Sequence, residues 1–158
     1  MGPYSFKLNA DLDFSFQSVW ILLLPLLFGL RGTIAVAVYL IIGALGAPVF
    51  SGYSSGWTKF YGVTGGFLFG FLICAVLIQL FAHQKNGNLT FQRILIILLT
   101  GHIALLILGF SWMIFTGVPP TKIPDIILSL LPGLLIKIIV GAFIYRFTMK
   151  ALKRSIFN

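Results

Sequence analysis

GAPVFSGYSSGWTKFYGVTGGFLFGF, residues 46–71, is the stretch whose reading decides the fold. It sits between two strongly apolar segments and holds Gly46, Gly52, Gly56, Gly62, Gly65, Gly66 and Gly70. Glycine has no Cβ, so the chain can turn with positive φ or lie directly against another backbone or a ligand. The second half changes character: Gly62, Gly66 and Gly70 recur at i, i+4 and i+8. On a helix that spacing makes one small-residue stripe against which a neighbour packs closely. A shaped loop thus feeds a helix with a smooth face. The plainer interpretation is a loop capping two membrane helices; the sharper one, followed here, is the wall or lid of a small-molecule pocket.

Working outward, composition sets the class. Of 158 residues, 59% are hydrophobic and 9% charged, and the mean hydropathy is +1.06. A soluble domain of this size could not cover its surface with so few charges. Apolar runs near the length of a bilayer span recur, which points to an all-α polytopic membrane protein. The runs are continuous rather than alternating, which excludes a β-barrel. The net charge of +8 fits cytoplasm-facing lysines and arginines rather than nucleic-acid binding. Cys74 is the single cysteine, so there is no disulfide and no metal cluster. His83 and His102 have no acidic or thiol neighbours at ligand spacing. The polar opening residues do not resemble a signal peptide.

Five spans are expected, at about 14–30, 33–46, 63–82, 94–115 and 134–149. Residues 1–13 form an external segment, 14–150 the membrane domain and 151–158 a basic cytoplasmic tail. Asn86-Gly87 marks a turn. The run 126–131 is too short to span and meets Pro132-Gly133, so it reads as a re-entrant or interfacial piece. With five spans, one side collects Arg31, Lys85, Arg93, Arg146, Lys150, Lys153 and Arg154; the other holds Lys7, Lys59, Lys122 and all three acids, Asp11, Asp13 and Asp125. The positive-inside rule places the first set and the C-terminus in the cytoplasm. The glycine-rich loop and the proline-rich break at 117–125 then share the outer face.

Lys137 is the one charge well inside an apolar segment. A lysine at mid-span costs roughly 2.5–3.5 kcal/mol on insertion scales. It either snorkels to the headgroups or meets an anionic group of a ligand, helped by a helix start expected near Pro132-Gly133. The nearest preceding acid, Asp125, is twelve residues away. Gln17, at the membrane entrance, both donates and accepts, which suits an amide or ureido group. Tyr53, Trp57, Tyr61 and Phe67 offer rings that stack on an apolar ligand or form an interfacial belt. His102 reads as a hydrogen-bonding link between helices.

FSFQS (14–18), YLIIGALGAPVFSGYSSG (39–56) and GVTGGFLFGF (62–71), in that order, resemble the biotin-specific substrate-binding component, the BioY family, of energy-coupling-factor transporters. LGFSWM (108–113) and PGLLIK (132–137) are similar to the family's L-G-x-x-W-L and P-G-D-x-x-K. The resemblance implies a six-helix membrane protein that captures biotin from outside the bacterial cytoplasmic membrane. It implies docking onto a transmembrane coupling subunit and two ATPase subunits, with no ATP hydrolysis of its own and no cofactor. It also implies that Lys137 binds the ligand, that Gln17 lines the entrance, and that Gly65, Gly66 and Phe67 edge the pocket. Three departures stand out. Leu134 replaces the motif's Asp, Phe67 replaces its Tyr, and the similarity begins after the family's first helix, which carries the docking motif for the coupling subunit.

The expected function is therefore vitamin capture for ATP-driven uptake, with Lys137, Gln17, Gly65, Gly66, Phe67 and Tyr53 as binding residues. The same scaffold with another carboxylate-bearing ligand, or a membrane interaction subunit without a ligand, are the alternatives. An enzyme is not expected, because the sequence offers no acid–base pair, nucleophile constellation or metal cluster.

Overall fold

The computed structural model describes residues 5–9, 12–82 and 89–156. A two-stranded antiparallel hairpin comes first: β1 (Ser5–Asn9) and β2 (Leu12–Ser15) pair Ser5 with Ser15 and Phe6 with Phe14, and the register slips between Lys7 and Asn9. The segment before the first span is thus a strand pair, for which composition carried no signal. The remainder is helical: α1 (Gln17–Phe28), α2 (Leu30–Ala44), the short α3 (Thr58–Tyr61), α4 (Gly65–Ala82), α5 (Phe91–Phe115) and α6 (Ile123–Ile156). The expected Asn86-Gly87 turn lies outside the described residues.

Five principal helices stand where five spans were expected. Three stretches are long and apolar enough to cross a bilayer: Gly65–Ala82, Phe91–Phe115 and Pro120–Leu152. The first two helices have 12 and 15 residues, about 18 and 22 Å at the α-helical rise, short of a ~30 Å hydrocarbon core. The shortness of α1 has a packing reason. α1 is the central element and touches α2, α4, α5 and α6. Val19, Ile21, Leu22, Leu23 and Leu26 are buried around most of its circumference. A helix apolar on every side belongs inside a bundle.

Gly29 alone joins α1 to α2, with φ of 56°. The returning helix lies directly on α1: a Cβ on Gly32 would strike the Leu24 carbonyl and sit 2.6 Å from the Pro25 nitrogen. Thr33 Oγ1 donates to Ala75 O of α4 at 3.3 Å, tying the pair to the next helix. Outward-facing positions such as Ile34, Ile41, Leu128, Ile136, Phe143 and Phe147 are exposed. So broad an apolar exterior has no place in water and matches lipid contact.

The last span differs from expectation. The run 126–131 is not re-entrant; it is part of one continuous helix, α6, with Pro132 in its interior. Proline withholds only one N–H donor, here the one that would reach Leu128 O. Long helices tolerate that loss in membranes. Pro132 and Leu131 face outward and do not obstruct the bundle. Lys137 is therefore mid-helix, more than three turns past the start at Ile123, and the helix-terminus contribution expected beside it is absent.

Candidate functional site

The glycine-rich loop is strapped to the helix entrances. The Val49 carbonyl accepts from Gln17 Nε2 at 2.9 Å and from Tyr39 OH at 3.1 Å. Gln17 is only 3% exposed, so its amide N–H fixes the loop instead of waiting for solvent. Gly56 N–H donates to Gly43 O at 2.7 Å. Phe50 fills the space beside Gly43, where a Cβ would lie 2.8 Å from the Phe50 ring at Cε2. The Phe50–Ser54 bridge closes a tight reversal, with Gly52 at φ 65° and Tyr53 at φ 57°. A left-handed tyrosine is uncommon and marks a constrained turn. Tyr53, Trp57 and Tyr61 keep much of their surface exposed at this end, as in an interfacial aromatic belt.

Edge-on and tilted rings continue the strap across four elements. Tyr39 meets Phe50 at 5.7 Å, Phe50 meets Phe60 at 5.9 Å, Phe60 meets Phe69 at 5.5 Å and Phe69 meets Trp112 at 5.5 Å. Such pairs add about 0.5–1.5 kcal/mol each beyond their burial. Trp112 Nε1 donates to Gly62 O at 3.0 Å. Sequence reasoning singled out neither Tyr39 nor Trp112 as a loop anchor. The i, i+4 pair Tyr39 and Gly43 was the available signal: both lie on the α2 face turned to the loop.

The glycine stripe is real but begins later than its spacing implied. Gly62 precedes α4 and contributes its carbonyl. A Cβ on Gly65 would strike Phe60 O. On Gly66 it would strike Trp112 Cβ, 2.9 Å from Leu108 O, and on Gly70 it would be 2.9 Å from Leu105 Cδ1. The stripe is thus the seat of α5. Phe67 packs in turn on Gly109 and meets the Phe110 ring at 5.9 Å. Gly65, Gly66 and Phe67 are brought together at the α4–α5 seam.

Lys137 lies deeper. Helices α5 and α6 run antiparallel. Phe91 meets Phe143 at 5.7 Å, a Cβ on Gly141 would touch Leu98 Cδ1 at 3.1 Å, and Phe110 and Met113 pack with Ile123. One turn outward from the Leu98–Gly141 contact, the register sets His102 opposite Lys137. His102 is not the helix–helix link that was expected: its Nδ1 stands 2.8 Å from Leu98 O on its own helix. From Lys137 to the Phe67–Phe110 contact is about two turns, roughly 11 Å. Leu134, one turn before Lys137, packs against the main core. Among the described residues no group of His, Cys, Asp or Glu could hold a metal ion.

The BioY family pattern matches residues 4–154. The chain is 40% identical over 88 residues to "Biotin transporter BioY" of Thermotoga maritima, covering 55% of this chain and 47% of that protein. It is 39% identical over 83 residues to "Biotin transporter BioY2" of Lactococcus lactis, covering 51% of this chain and 43% of that one. The chain thus spans about half the length of these curated relatives. A solved structure described as the S-component for biotin from an ECF-type ABC transporter superposes with a TM-score of 0.79 at 28% identity, over 94% of this chain and 80% of the other.

Proposed function

The chain belongs to the BioY family, and on that premise we propose that it is the membrane component that captures biotin for an importer driven by separate ATPase subunits. One observation carries the reading: a loop pinned over the helix entrances by two donors on Val49 O, with an intramembrane cation in the bundle beneath it. Biotin has an apolar middle and an anionic tail. Lys137 supplies the cation for the carboxylate. Leu134 and Phe67 supply apolar wall between that cation and the loop, and Gln17 and Tyr53 belong to the loop end. Phe67 keeps the ring of the family's tyrosine, and Leu134 makes the wall more apolar than the family's aspartate does. The chain's part is binding and presentation; a transmembrane coupling subunit and ATPases supply the work. The external loops and the cytoplasmic C-terminus follow from the charge distribution.

Equilibrium binding of labelled biotin to the protein purified in nanodiscs tests this. Saturable binding that unlabelled biotin displaces is the expected result. Absence of binding together with absence of biotin uptake in an auxotroph would overturn it.

A further inference from the structure

We propose that Trp112 is a positioning residue for ligand capture: its indole N–H, on Gly62 O, fixes the glycine-rich loop at a set distance from α6, the helix that bears Lys137. The inference rests on the biotin-capture reading for its ligand and on the contacts of α3, α4 and α5 for its residues.

The short helix before the pocket edge cannot hold itself. α3 has four residues and buries only Phe60, far below the ~12–15 residues at which a helix begins to persist alone. Residues 62–64 then separate it from α4. Its position is set from its two ends. At one end Gly56 N–H donates to Gly43 O at 2.7 Å. At the other, Gly62 O accepts twice: from Gly65 N–H at 2.9 Å and from Trp112 Nε1–H at 3.0 Å. A carbonyl has two lone pairs, and both are used. The first bond serves α4, whose opening N–H groups have no acceptor within the helix. The second brings in α5, from 50 residues further along the chain. Glycine makes room for it, since a Cβ on Gly65 would lie 3.1 Å from the same indole nitrogen.

The same turn of α5 is tied to the last helix. Phe110 and Met113, on either side of Trp112 in sequence, pack with Ile123 at the start of α6. α6 then runs unbroken from Ile123 past Lys137, about 21 Å at the helical rise. Loop, α5 and α6 thus form one chain of contacts, with the indole N–H as its link to the loop. A ligand anionic at one end and polar at the other meets Lys137 and the loop together, so its binding is sensitive to their separation. Holding that separation before the ligand arrives removes an ordering cost from the bound state. Trp112 needs no contact with the ligand to do this.

Two measurements test this. Trp112→Phe keeps the Cβ and Cγ against which Gly66 is seated and removes the N–H. Gly62 O retains Gly65 N–H, so no carbonyl is orphaned. Phe69→Leu takes a ring from beside the indole and leaves the N–H, and so controls for packing. The first measurement titrates wild type and both variants with biotin and with its homologues one methylene shorter and one longer in the acid chain. Loss of one hydrogen bond corresponds to roughly twofold to tenfold in affinity. The expected result in Trp112→Phe is that loss for biotin and smaller losses for the homologues, hence a flatter preference for chain length. Phe69→Leu should keep the wild-type preference. Equal losses for all three ligands in Trp112→Phe, or the same flattening in Phe69→Leu, would show a packing role only and overturn the proposal. The second measurement, hydrogen exchange, needs no ligand. In wild type the Trp112 indole N–H should exchange more slowly than that of exposed Trp57, and the amides of residues 62–65 should quicken in Trp112→Phe. An indole N–H as free as that of Trp57, or unchanged amides, overturns the proposal. Should wild type bind no biotin, the capture reading fails by itself and the exchange result still decides whether Trp112 holds the loop.

Discussion

At the residue scale, two polar side chains do different kinds of work. Lys137 carries the charge that a ligand would meet. Removing one member of a buried, hydrogen-bonded charge pair costs about 2–5 kcal/mol, which is roughly thirtyfold to several thousandfold in affinity. Lys137→Met is expected to weaken biotin by that range and biotin amide by much less, measured by titration of the purified protein. Equal losses would leave Lys137 as a headgroup-seeking lysine. Gln17 instead holds the loop. Gln17→Leu removes one of two donors on Val49 O and is expected to cost about 0.5–1.5 kcal/mol. Hydrogen exchange at the amides of residues 49–56 should quicken, while the Tyr39 hydroxyl keeps the carbonyl paired. Unchanged exchange there would mean the strap rests on the aromatic rings alone.

Elements meet here through glycines, and the identity of the facing atom sets the outcome of substitution. Gly32 and Gly65 face backbone, of α1 and of α3. Backbone cannot yield as a side chain does. Gly70 faces the end of the Leu105 side chain, which can move. Overpacking typically costs about 1–3 kcal/mol. Gly32→Ala is expected at the top of that range or beyond it, and Gly70→Ala near the bottom, read from thermal unfolding in detergent. Gly66→Leu, against Trp112 Cβ and Leu108 O, should both lower stability and weaken biotin binding, because it moves the α5 edge of the proposed pocket. A Gly66→Leu protein as stable and as competent as wild type would dissociate the stripe from any pocket.

For the whole molecule the open variable is orientation. Single cysteines at Ser54 and Thr121 are expected to react with an impermeant reagent from outside, and one at Ser155 only after permeabilisation. The native Cys74 is buried and does not compete with these labels. Labelling of Ser155 in intact cells would reverse the assignment. The test bears on function, because the loop strapped over Gln17 and Tyr39 must face the compartment from which ligand arrives.

The membrane class, five apolar helices and the residues of the strapped loop were legible in the sequence, because each is written in local composition: hydropathy over a span's length, charge between spans, glycine at the turns. The candidate residues Gly65, Gly66, Phe67 and Lys137 were legible as types. Their neighbours were not. That 126–131 continues through Pro132 into α6 depends on neighbouring helices and lipid making one missing N–H tolerable, which a local apolar window does not reveal. That α1, among the shortest helices, is the central one follows from its contacts with α2, α4, α5 and α6. Tyr39 and Trp112 became anchors only when the packed helices brought distant turns into one layer. Hydropathy is a property of a segment and survives in isolation; a hydrogen-bond partner belongs to a pair of segments, and only the packed bundle chooses it.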